Sequence, residues 1–134
     1  MINIEGFKTI NKNISGEIVE KKSKFIANIF YVETEVEAEE YIKQIKKQFY
    51  DAKHNCFAYV IKDDKGGVIK KFSDDGEPSG TAGAPMLEVL NKQKIENVLV
   101  VVTRYFGGIL LGTGGLVRAY TRSNANSIRK SRIY

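Results

Sequence analysis

Apolar positions along the chain fall into two distinct periods. Between Thr34 and Tyr50, the residues Ala38, Tyr41, Ile42, Ile45 and Phe49 recur at three- and four-residue spacing, which predicts an amphipathic helix. Thr34 and Glu37 form a capping box at its start, with glutamates in its first turns and lysines in its last. Residues 17–22 read as a short strand and residues 25–32 (FIANIFYV) as a largely buried one. Residues 55–61 and 68–72 read as a hairpin, because the connection KDDKGG has turn chemistry. After a loop over residues 73–84, Pro85 opens a short helix to about Lys92, with Met86, Val89 and Leu90 facing inward. The unbroken apolar run at 98–103 (VLVVVT) predicts a central strand buried on both faces. A glycine-rich loop covers residues 105–113, and a last helix runs from Gly114 to about Lys130. On that helix Leu116, Val117, Tyr120, Asn124 and Ile128 share one side, with Arg118, Arg122 and Arg129 opposite. The first 14 residues carry scattered isoleucines and read as edge strands or an arm. This order predicts an α+β sandwich in one domain: one mixed sheet with helices on one face.

Composition adds exclusions. In 134 residues, 43% hydrophobic and 28% charged, there is material for a real core and no disorder signature. No apolar run approaches the roughly 18 residues that a membrane span needs, and the polar N-terminus has no signal-peptide core. One cysteine (Cys56) and one histidine (His54) exclude an internal disulfide framework and a Cys/His zinc cluster, so the expected compartment is reducing and cytoplasmic. The net charge of +5 is unevenly placed. Residues 97–134 hold six basic residues, including all five arginines, and no acid. That asymmetry fits a polyanionic partner.

Two loops could carry chemistry. The first, DDGEPSGTAGAP at 74–85, gathers Asp74, Asp75, Glu77, Ser79 and Thr81 among Gly76, Gly80 and Gly83. Such a set could hold a hydrated Mg²⁺ or recognise a polar ligand; it serves equally as an ordered structural loop with Asx-turns and a helix cap. The second, TRYFGGILLGTGGLVR at 103–118, places Arg104, Tyr105, Gly107, Gly108, Thr113, Gly114 and Gly115 between a strand end and a helix start. Bare amides at a helix start suit an anion. Neither a P-loop nor a Rossmann fingerprint is matched, since no Lys-Ser/Thr pair follows and Val117 holds the last glycine position. If the strands at 68–72 and 98–103 run parallel, both loops emerge at one edge and Arg104 meets the carboxylates, as a ligand clamp or as a structural ion pair. His54 and Asn55 open the hairpin strand beside them. His54 could serve as a base or ligand contact, whereas a Cys56–His54 nucleophile pair is poorly placed on one strand face. Arg118, Arg122 and Arg129 could track phosphates, or form an ordinary solvated face.

Four blocks, KKSKFIA (21–27), AKHNCFAYVI (52–61), DDGEPSGTAGAPML (74–87) and VVVTRYFGGILLGTGGLVRAY (100–120), resemble the Impact/YigZ family. The resemblance implies the two-layer fold of the second domain of small-subunit ribosomal protein five, and a cytoplasmic role in regulating translation, tied in eukaryotic relatives to the amino-acid-starvation response. No established catalytic residue carries across with it, and no cofactor is expected outside the Mg²⁺ alternative. With no linker in the chain, a single Impact N-terminal-like domain over residues 1–134 is expected; the ferredoxin-like domain that usually follows in bacterial relatives is absent from the sequence, by truncation or by nature. The leading expectation is therefore a non-enzymatic module that binds the ribosome, RNA or a translation-associated protein. The alternatives are an enzyme acting on a phosphorylated or nucleotide-like small molecule, with Mg²⁺ on Asp74, Asp75 and Glu77, and a domain that docks protein alone.

Overall fold

A computed structural model describes residues 14–131. The expected N-terminal arm lies almost wholly outside them. Two strands, β1 (Ile14–Glu20) and β2 (Ser23–Tyr31), are joined by a tight turn in which Lys21 and Lys22 both take positive φ. Helix α1 (Glu35–Gln48) follows, capped by the Thr34 side chain accepting from the Glu37 amide. The hairpin β3 (His54–Lys62) and β4 (Val68–Ser73), helix α2 (Gly83–Lys92), strand β5 (Val98–Tyr105) and helix α3 (Gly112–Ser131) complete the chain.

The α+β class is as expected, with two corrections. The sheet order is β1-β2-β5-β3-β4, and every described pairing is antiparallel rather than mixed. The last strand inserts between β2 and β3, so no two sequential strands joined by a helix are neighbours. Nor do the helices share one face. Val98, Val100 and Val102 pack with Met86 and Leu90 of α2 and Tyr120 and Ile128 of α3. Leu99 and Val101, of opposite parity, pack with Ala38, Ile42 and Ile45 of α1. A strand whose alternate residues are all apolar needs cover on both sides, and α1 supplies the second layer.

β4 and β5 flank β3, each antiparallel to it, and so run in the same direction. Their C-terminal ends, the β1–β2 turn, the start of β3 and the starts of α2 and α3 therefore gather at one rim of the sheet. No described helix is long and apolar enough to cross a membrane.

Candidate functional site

At the rim, β3 and β5 are in register with His54 opposite Arg104, both on the α2–α3 face. Between them lies Glu77, whose side chain is only 1% exposed. Arg104 grips that carboxylate with its fork, donating from Nε to Oε2 at 2.6 Å and from Nη2 to Oε1 at 2.9 Å. Tyr120 of α3 donates to Oε2 at 2.5 Å. The expected pairing of Arg104 with the acidic loop is thus present, as an internal ion pair.

His54 is fixed beside this pair. Its Nδ1–H donates to the Asp75 carbonyl at 2.9 Å, which leaves Nε2 3.7 Å from Glu77 Oε1. Gly76 has a φ of +87°, and a Cβ there would lie 3.3 Å from His54 Nδ1, so the loop crosses the imidazole at a glycine. The Cys56 thiol lies 3.1 Å from the Asp74 carbonyl and 3.4 Å from the Tyr120 oxygen.

Electrostatics follow from this packing. Burial pushes the Tyr120 phenol far up, helped by Cys56 and Glu77. Burial likewise raises the Cys56 thiol, so at neutral pH it is not a thiolate nucleophile. For Arg104 burial works against the charge, but Glu77 outweighs it and holds the guanidinium above its ordinary value.

The acidic loop's other carboxylates serve its own backbone. Asp74 Oδ1 accepts from the amides of Ala82 and Gly83 at 3.1 and 2.8 Å, and Oδ2 from Gly80 at 2.9 Å. It caps α2 from eight residues before the N-cap position, where Ala82 has no side-chain oxygen to offer. Asp75, at φ +39°, accepts from the Asn55 amide at 2.7 Å and faces Lys46 at 3.7 Å. Buried Thr81 donates to the Pro78 carbonyl, and Ser79 is exposed. The three carboxylates point to three different places, and no group of three or more His, Cys, Asp or Glu among the described residues is disposed to hold a metal. The residues present do not fit the Mg²⁺ site raised as an alternative.

The glycine loop meets the rim through Ser23. Its hydroxyl accepts from Arg104 Nη1 at 3.4 Å and from the Gly107 amide at 3.2 Å. Gly107 is pressed on the β1–β2 turn, where a Cβ would sit 1.9 Å from the Lys22 carbonyl oxygen. Gly108 has positive φ in open space, and Thr113 and Gly114 are exposed. Tyr105 turns away to donate to Asp51 at 2.6 Å. The Asn55 side chain lies on the α1 face, accepting from Thr103. Arg118 and Arg122 line a cavity of about 280 Å³ with Lys21, Leu111 and Gly115, and Arg122 pairs with Glu20. Arg129 lines a separate cavity near Gly16 and Ile18.

Sequence reasoning missed Ser23 and Tyr120. Tyr120 carries a detectable signal: a tyrosine on an apolar helix face brings a hydroxyl that needs a partner once buried. Ser23, amid lysines, carries none beyond its place in a family block.

The family model for the Impact N-terminal domain matches residues 21–128. IMPACT family member YvyE of Bacillus subtilis (strain 168) is 53% identical over 120 residues, covering 90% of this chain and 54% of that one. The chain spans about half the length of the curated bacterial relatives YvyE and YigZ. A crystal structure of a hypothetical protein superposes with a TM-score of 0.87 at 36% identity, over 92% of this chain and 60% of that one. The two-domain translational regulator Yih1 matches at a TM-score of 0.56 and 24% identity, over 98% of this chain and 49% of Yih1, a likeness of fold. By the matched domain and these relatives, the chain belongs to the Impact family.

Proposed function

We propose that this domain is a non-enzymatic binding module of translational regulation that takes single-stranded RNA of the translation machinery on its rim. One observation carries the reading: the carboxylates of Asp74 and Glu77 are taken up by internal bonds, while apolar side chains of the glycine loop and several basic ones beside it are exposed. Phe106, Ile109 and Leu110 are exposed on the glycine loop, and Tyr50 is exposed at the end of α1. Tyr105, which hydrogen-bonds Asp51 and contacts Phe49, ties that end of α1 to the rim. Around this apolar tip stand exposed Lys21, Lys22, Lys53 and Arg118, and Arg104 lies 5.9 Å from the centre of the Phe106 ring. Aromatic faces within a basic collar suit unpaired bases and their phosphates. A translational role also accords with the family resemblance.

The test is binding of a labelled single-stranded RNA, and of small ribosomal subunits, across a salt series. If three or four phosphates are contacted, log K falls against log salt with a slope of about −2 to −3. Lys22→Glu with Arg118→Glu flattens that slope, and Phe106→Ala weakens binding without changing it. A flat slope for the wild type, or no retention at low salt, overturns the proposal. Ribosome retention that ignores salt and is lost in Leu110→Ser assigns the rim to a protein partner instead.

A further inference from the structure

β4 is an edge strand of the described sheet, paired to β3 alone, so its outer backbone groups have no strand partner. Sheet edges of this kind are commonly shielded by turns, helices or charge. Here the strand carries two lysines, yet it also leaves Val68 47% and Phe72 46% exposed. The register puts Val68, Lys70 and Phe72 on the α2 side, opposite Lys62, Val60 and Ala58. Beside them a groove of about 390 Å³ runs between β4 and the end of α2, floored by Val60, Leu90 and Ile95. Lys70, Lys94 and Glu96 line its walls, a local excess of positive charge. Lys71 faces the other side and reaches Glu39 at 3.5 Å, on an exposed surface. Among the described residues, Lys70 has no carboxylate within ion-pair distance.

We infer that β4 accepts an extended acidic peptide segment as a sixth strand, with an apolar side chain entering the groove beside Val68. The lysines choose the occupant. A second copy of β4 laid antiparallel would bring lysine against lysine, which is unfavourable in a cross-strand pair. A strand with two adjacent carboxylates at those positions meets Lys70 on one face and Lys71 on the other, while apolar residues flanking the carboxylates cover Val68 and Phe72. Main-chain bonds to the edge supply affinity and these four positions supply specificity. This surface runs the length of the sheet edge, and its groove lies toward the hairpin end, away from the rim.

The test uses a short fluorescein-labelled peptide with two central glutamates flanked by β-branched apolar residues. Saturable anisotropy is expected, together with slowed amide exchange at residues 68–73. Lys70→Glu with Lys71→Glu weakens binding at least about tenfold, and a peptide with lysines in place of the glutamates restores it, which shows that the variant is folded. Absence of saturation, indifference to the charge reversal, or protection confined to residues 105–111 overturns the inference. So does sedimentation showing a dimer that the peptide cannot dissociate, because the edge would then belong to a second copy.

Discussion

Glu77→Gln keeps the shape of the side chain and removes its charge. In the folded protein that charge receives two bonds from Arg104 and one from Tyr120. The amide can still accept from Tyr120, but its nitrogen then opposes a guanidinium nitrogen, donor against donor. Breaking a buried ion pair by deleting one partner costs about 3–5 kcal/mol. Arg104 keeps some contact with water, its side chain being 11% exposed, so the expected loss is about 2–4 kcal/mol. At roughly 3–4 °C per kcal/mol for a domain of this size, the melting temperature falls by about 6–16 °C. Arg104→Met should cost at least as much, because it leaves a carboxylate that is 1% exposed with Tyr120 as its chief donor. The double variant should be more stable than the sum of the two losses predicts, with a coupling of about 1.5–3 kcal/mol. Urea unfolding of the four proteins, with m-values checked for constancy, measures the cycle. Single losses below about 1 kcal/mol that simply add would mean that the pair behaves as a surface bridge, and would refute the buried-cluster account.

Two further outcomes follow from the same rim. Gly107→Ala forces a Cβ against the Lys22 backbone and should cost about 3 kcal/mol, whereas Gly108→Ala, in open space at φ +94°, should cost only about 1 kcal/mol; equal melting temperatures would contradict the close approach. Tyr120 is raised in the fold above its unfolded value of about 10. Its contribution is therefore whole below that pH and is lost as pH rises further. Wild-type stability should fall more steeply than that of Tyr120→Phe between about pH 9 and 11, and parallel denaturation curves would show that the phenol is solvated.

Much of the fold was legible because its signals are local. The Thr34–Glu37 box and the stripe through Ile45 mark α1, and the turn residues at 62–67 mark the hairpin. The pairing was not, because β5 reaches its place between β2 and β3 only through contacts distant in sequence. The second layer was hinted at by the all-apolar VLVVVT run, which demands cover on both faces, but nothing local says that α1 provides it. At the site, the meeting of Arg104 with the acidic loop was legible from strand direction, although that direction is shared through β3 rather than by parallel pairing. Which carboxylate Arg104 takes was not: Asp74, Asp75 and Glu77 are equivalent on paper, and loop geometry alone separates them.

That separation bears on what the motif is for. A carboxylate has about four lone-pair sites. Glu77 uses three of them on Arg104 and Tyr120, with His54 close by, and Asp74 uses three on backbone amides. Binding a metal or activating a substrate at either residue would first require these bonds to break in a region of low dielectric, where each unmade bond is costly. Residues so committed work as joints. Asp74 fixes the start of α2, while Glu77 ties α3 to β5, and Ser23 then ties β5 to the turn beneath the glycine loop. Their collective product is a rigid underside for the loop that carries Phe106, Ile109 and Leu110 outward. Substitutions within the cluster should therefore weaken ligand binding in proportion to their effect on stability. Substitutions at the tip should weaken binding and leave stability unchanged, and a Glu77→Gln protein that melts early yet binds RNA with wild-type affinity at low temperature would break this link.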